Sequence, residues 1–124
     1  MIMKNLLIIA LGGAVGSILR YLGQVMVNKI GSFSFPMGTF LVNILGCFII
    51  GLLYGIANKY TWLTLEWRLL LITGFCGGFT TFSSFSYESI SLIRQGNLFY
   101  FFLYALLSLT IGILATFGGT TLIR

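Results

Sequence analysis

Residues 73–87 read Thr-Gly-Phe-Cys-Gly-Gly-Phe-Thr-Thr-Phe-Ser-Ser-Phe-Ser-Tyr, the densest concentration of potential chemistry in the chain. Gly74, Gly77 and Gly78 weaken any helix formed there, and Thr80, Thr81, Ser83, Ser84 and Ser86 then supply hydroxyls. Two readings exist. In one, a continuous helix bonds its hydroxyls back to its own carbonyls. In the other, the helix is interrupted over 77–80, and the freed carbonyl oxygens become hard ligands, suited to Na+ and unsuited to soft metals. The coincidence of glycines and hydroxyls favours the interruption. Phe82 and Phe85 are three apart and share one helical face. Packing is the commonest use of such a pair, but a phenyl ring also has a positive edge that can flank a small anion without a fixed cation.

Other stretches carry matching polar groups. Thr39 and Asn43 are four apart, with Gly46 next on that stripe, and Tyr104 and Ser108 are four apart, followed by Gly112. A one-sided polar track in an apolar helix faces protein or a pore, and the same groups also serve as glue between helices. Asn43 stands out because an unpaired amide in lipid is costly and its NH2 can donate to an anion. Arg20 lies inside an apolar stretch, either snorkelling in a structural role or forming an electropositive mouth. Glu88 follows the hydroxyl track by one turn, as a vestibule group or a snorkelling surface acid. Catalysis has no footing. There is no His, the acids are Glu66 and Glu88 alone, and no Ser or Cys has a base to activate it.

The elements that must position these groups follow from composition. Of 124 residues, seven are basic and two acidic, so charged residues make up 7%, against a usual ~25%. Apolar types reach 58% and the mean hydropathy is +1.05. A soluble domain of this size exposes too much surface to hide such content, which excludes a soluble enzyme, a nucleic-acid module and a disordered chain. The net charge of +5 is scattered, with no cluster to neutralise phosphates. Cys47 and Cys76 read as small buried hydrophobes, and without His they make no ordinary zinc site.

Residues 5–19, 30–58, 69–87 and 95–123 carry no charge. A crossing helix needs ~20 mostly apolar residues, so four spans are expected near 4–27, 36–58, 66–92 and 98–121. The first is read as a retained span and not a signal peptide. The whole of 1–124 is then a single four-helix transmembrane domain. Sixteen glycines, many within the spans (Gly12, Gly13, Gly16, Gly51, Gly55, and Gly112 with Ala115), let backbones approach closely in lipid. Lys4, Lys59, Arg68 and Arg124 fall on one side, against Lys29 and Arg94 with Arg20 near them. So slight a bias leaves two options: orientation is decided by something else, or both orientations are inserted. Four short helices fill their own interior, so transport favours an oligomer, and coexisting orientations would give an antiparallel pair.

The sequence resembles the Fluc/CrcB family of fluoride channels along almost its whole length. The likeness is carried by Gly12-Gly13-Ala14-Val15-Gly16-Ser17-Ile18-Leu19-Arg20-Tyr21, by Gly38-Thr39-Phe40-Leu41-Val42-Asn43-Ile44-Leu45-Gly46, and above all by Gly74-Phe75-Cys76-Gly77-Gly78-Phe79-Thr80-Thr81-Phe82-Ser83-Ser84-Phe85. The resemblance implies an all-α membrane protein with four transmembrane helices, a break in the third, and assembly as an antiparallel, dual-topology homodimer. It implies two fluoride pathways lined by Phe82, Phe85, Asn43, Tyr104 and Ser108. A central Na+ would be held by the backbone carbonyls of Gly77 and Thr80 from both subunits. Arg20 matches the family's first-helix arginine. Passive efflux of toxic cytoplasmic fluoride across a bacterial inner membrane is the implied function. A small multidrug-type exporter would need a carboxylate in the first span, which is absent, and a non-conducting scaffold leaves the polar tracks unexplained.

Overall fold

In a bilayer the backbone must satisfy its own hydrogen bonds, and long apolar stretches do so by coiling. The computed structural model describes residues 1–31 and 34–123. Helix α1 (Ile2–Ile30) is the first span and α2 (Met37–Lys59) the second. The third is composite: α3 (Leu65–Arg68), a π-helical segment (Leu69–Cys76), α4 (Gly77–Phe79) and α5 (Phe82–Arg94). Helix α6 (Leu98–Leu122) is the fourth. All four paths are long and apolar enough to cross a membrane, and their ends fall within three residues of the expected limits. No strand occurs among the described residues. Ser32 and Phe33 of the expected first connection, and the Arg124 charge, lie outside the described residues.

The non-helical backbone of the third span is not where the glycines suggested. Gly77 is helical (φ −62°, ψ −37°), and so are the residues up to Phe79. Extended geometry is confined to Thr80 (φ −88°, ψ 155°) and Thr81 (φ −149°, ψ 116°). The 77–79 part of the expectation is therefore corrected. Gly74 and Gly78 serve close packing, Gly77 is exposed, and the chain leaves the helix at the two threonines.

Packing follows a simple register. Spans one and three run parallel, with Gly12 against Leu70 and Phe75, Gly16 against Phe75 and Phe79, and Gly78 against Gly13. Spans two and four also run parallel, with Gly51 on the Thr116 backbone and Gly119 on Phe48 and Leu52. The Thr116 hydroxyl donates across this contact to the Cys47 carbonyl at 3.1 Å. Backbone-to-backbone approach of this kind replaces the hydrophobic drive that lipid does not supply. The two pairs meet antiparallel, with Gly38 beside Gln24 and Gly46 beside Thr80.

The connections are short and chemically ordinary. At the end bearing the N-terminus, Arg68 donates to the carbonyls of Leu63 (3.3 Å) and Ala57 (3.4 Å), tying the 60–64 turn to the end of α2. Lys4 pairs with Glu66 at 3.3 Å, an exposed bridge that contributes little. Exposed Trp62 and Trp67 lie at this end, as at a headgroup boundary. At the other end, α5 closes in a Schellman turn: Asn97 N–H donates to Leu92 and Gly96 N–H to Ile93, with Gly96 at φ 75°.

The glycine contacts generate a test. A Cβ at position 16 would collide with the Phe75 carbonyl, whereas one at Gly118 meets nothing within 4 Å. Gly16→Val is expected to destabilise the protein by about 2 kcal/mol or more and to reduce the folded fraction recovered in detergent, while Gly118→Ala leaves it unchanged. Equal melting temperatures for the two variants would show that the helix approach is not limiting.

Candidate functional site

The extended pair Thr80–Thr81 owes its geometry to one side chain on the neighbouring α2. Asn43 Oδ1 accepts the Thr81 N–H at 2.8 Å, and Asn43 Nδ2 donates to the Thr81 carbonyl at 3.0 Å. The amide thus pairs with both backbone groups of Thr81, as a neighbouring strand would. The Thr81 hydroxyl then accepts the Ser84 N–H at 3.2 Å and caps α5. The Thr80 hydroxyl folds back to the Cys76 carbonyl at 2.8 Å. Back-bonding of a hydroxyl and interruption of the helix therefore coexist within two residues.

These pairings leave particular carbonyls unmet. The Thr81 N–H, which would cap the Gly77 carbonyl in a continuous helix, goes to Asn43, and the Ser84 N–H, which would cap Thr80, goes to the Thr81 hydroxyl. Among the described residues no other backbone N–H replaces them. The intervening Gly78 carbonyl accepts Arg20 Nε at 3.1 Å. Arg20 is thereby bound to the third span and is not among the residues lining the two larger cavities.

Beside this interruption lies a groove of about 280 Å3, lined by Asn43, Thr80, Thr81, Phe82, Phe85 and Ser108 together with apolar neighbours. The rings of Phe82 and Phe85 are 5.6 Å apart, and Phe82 is 76% exposed, so the groove is open on one side. Asn43 retains one N–H after serving Thr81. The Ser108 hydroxyl makes no hydrogen bond among the described residues. The groove is therefore lined by two small donors and two aromatic rings, and a ring edge is suited to weak contact with a small anion.

A larger cavity of about 610 Å3 lies towards the end with the 31–36 and 95–97 connections, lined among others by Gln24, Thr39, Ser83, Ser84, Tyr87 and Glu88. Glu88 is the hub of its wall. Thr39, 3% exposed, donates to Glu88 Oε2 at 3.0 Å and accepts from Gln24 Nε2 at 3.0 Å. Tyr104, fully enclosed, donates to Glu88 Oε1 at 3.3 Å. Each carboxylate oxygen thus holds one hydroxyl, and the Gln24 donor forces the Thr39 proton towards Glu88. Thr39 and Asn43 share a stripe but line different cavities, whereas Ser108 lines the groove and Tyr104 lines neither cavity, reaching the larger one only through Glu88. Gln24 escaped notice in the sequence, although it lies one turn beyond Arg20. The Thr81 cap and the hub role of Glu88 left no one-dimensional signal.

Removal of the Asn43 amide should expose both of its functions. Asn43→Leu leaves the Thr81 N–H and carbonyl unpaired, a cost of about 2–4 kcal/mol, so thermal unfolding in detergent is expected to fall by several degrees. A melting temperature equal to wild type would show that the amide does not hold the extended pair.

Comparisons with known proteins agree along the whole chain. Residues 7–120 match the family described as CrcB-like protein, Camphor Resistance (CrcB). A protein of Chlorobaculum tepidum named fluoride-specific ion channel FluC is 48% identical over 124 residues, covering 100% of this chain and 98% of its own length. Its namesake from Phocaeicola vulgatus is 47% identical, covering 94% of this chain and 96% of its own. The namesake from Leptospira interrogans serovar copenhageni is 45% identical, covering 98% and 95% respectively. With four membrane-length helices, an interrupted third span and this breadth of similarity, the chain belongs to the CrcB family.

Proposed function

We propose that the protein is a fluoride-selective ion channel that lets cytoplasmic fluoride leave a bacterial cell passively across its inner membrane, and that it is not an enzyme. The observation that carries this reading is the groove beside Thr80–Thr81, which Asn43 and Ser108 line together with Phe82 and Phe85. The relatives named as fluoride-specific channels match that same stretch of chain.

Fluoride enters through the larger cavity past Thr39, Ser84 and Glu88 and sheds water in stages. The Asn43 amide and the Ser108 hydroxyl replace part of its hydration shell. The edges of Phe82 and Phe85 supply contacts weak enough for the ion to leave. Tyr104 contributes through its ring against Phe85, at 4.9 Å, and through its hydroxyl on Glu88. Selectivity over chloride comes from a narrow path with small, closely spaced donors. Arg20 acts through the Gly78 carbonyl, holding the third span in place.

The active form is an antiparallel, dual-topology homodimer. Thr73, Gly77, Ser83 and Ser86 are exposed along the third span, at depths where lipid offers no hydrogen bonds. A second copy covers that polar face and closes the groove. The near-even distribution of Lys4, Lys59 and Arg68 against Lys29 and Arg94 supports insertion both ways. The carbonyls of Gly77 and Thr80 fit a shared Na+: both lack their helical donors, and both are hard oxygen ligands. When bound, the ion supplies a fixed positive charge near the anion path.

Liposomes loaded with fluoride and monitored with an electrode test the function, with chloride as control. Rapid fluoride release without chloride release is expected, and Phe82→Ile or Phe85→Ile should slow it at least about tenfold, a loss of roughly 1.4 kcal/mol or more. Chloride release at the fluoride rate would overturn the selectivity, and unchanged efflux in both variants would overturn the path. A single Cys near the N-terminus should be labelled in part from each side of the membrane. Labelling from one side only contradicts dual topology.

A further inference from the structure

The rings around the groove do not end at Tyr104. Phe82 contacts Phe85 (5.6 Å), Phe85 contacts Tyr104 (4.9 Å), and Tyr104 meets Phe35 edge-on at 5.2 Å and 83°. Phe35 belongs to the connection between α1 and α2, outside every membrane-spanning helix. It is fixed in turn by Phe40 at 5.5 Å and 81° and by Tyr100 at 6.4 Å and 72°. One unbroken series of rings therefore runs from the mid-membrane groove to a surface connection.

Phe35 also occupies a partition. It lines the 610 Å3 cavity and a separate one of about 150 Å3, and the two cavities share Pro36 and Glu88 as well. Ser91 and Gln95 belong to the smaller cavity alone. The Phe35 ring thus borders both spaces and packs on Tyr104, the residue that donates to Glu88. The Tyr104 ring that carries this hydroxyl lies against both Phe85 and Phe35.

We infer that Phe35 is a positioning residue for the ion path: held by Phe40 and Tyr100, its ring fixes Tyr104 so that the hydroxyl stays on Glu88 and the Phe85 ring stays at the groove. The inference rests on the reading of the Phe82–Phe85 groove as the path. Phe35 touches no ion. Its action passes through Tyr104, and an aromatic ring at position 35 is the requirement, since edge-to-face contact needs a ring on both sides.

The test uses the reconstituted protein in the fluoride-efflux assay with Phe35→Ala, Phe35→Tyr, Tyr104→Phe and the Phe35→Ala/Tyr104→Phe double variant, and Phe85→Ile as reference. Phe35→Ala is expected to slow efflux about tenfold, a factor within reach of one lost edge contact and the hydrogen bond it aligns. Phe35→Tyr should stay within about twofold of wild type because the ring is kept. The double variant should be no slower than the slower single, because both act on one hydrogen bond. Unchanged efflux in Phe35→Ala, losses that multiply in the double variant, or Phe35→Tyr as slow as Phe35→Ala would each overturn the inference. If Phe35→Ala yields no folded protein, Phe35→Leu fills the space without a ring and is read by the same criteria. Slowed efflux in Phe85→Ile with wild-type efflux in Phe35→Ala rejects the positioning role alone. Unchanged efflux in Phe85→Ile rejects the path on which it depends.

Discussion

A backbone N–H or carbonyl inside a bilayer has no water to turn to, and this constraint shapes the third span. Two residues, Thr80 and Thr81, leave helical geometry at membrane depth, which strands several polar groups at once. The protein meets that demand with side chains from other helices. Asn43 takes both groups of Thr81, Arg20 takes the Gly78 carbonyl, and the Thr81 hydroxyl takes the Ser84 N–H. What remains unmet, the carbonyls of Gly77 and Thr80, is thereby selected and not left to chance.

The same economy governs the polar tracks. Most hydroxyls and amides here already serve the protein. Thr39 and Tyr104 are committed to Glu88, Thr80 to Cys76, and half of the Asn43 amide to Thr81. On the path proposed above, an anion would meet few free donors, and that scarcity would keep its binding weak. An abundance of unpaired donors would be expensive to maintain in lipid and would hold an ion too long. Structural satisfaction and the proposed ion passage thus draw on the same small set of groups.

Much of this organisation was legible in one dimension. Charge-free intervals located all four helices because lipid admits few alternatives to a long apolar helix. Small residues at four-residue spacing marked the surfaces of closest approach, and Gly51 and Gly16 do meet backbone there. That the helix is interrupted somewhere within residues 73–87 was also visible. Its exact placement was not: glycines at 77 and 78 suggested the unwound residues, yet they are helical because unwinding follows the partner Asn43, which lies 38 residues away. Glu88 as a hub, Gln24 as the donor behind Thr39, and Phe35 against Tyr104 were equally hidden. Each depends on which helix faces which, information that periodicity within one helix does not contain.

The parallel pairing of spans one with three and two with four carries a consequence for biogenesis. Neither pair consists of consecutive spans, so the first hairpin to emerge can make its Gly38–Gln24 and Gly23–Val42 contacts but not those of Gly12, Gly16 or Gly51. Asn43 enters the bilayer before Thr81 has been synthesised, and Thr39 before Glu88. The early hairpin must therefore tolerate bare amide and hydroxyl groups, or keep them near the translocation machinery, until the later half arrives. Truncation after the second span would strand it in that immature state, and a quality-control protease would meet those polar groups exposed to lipid.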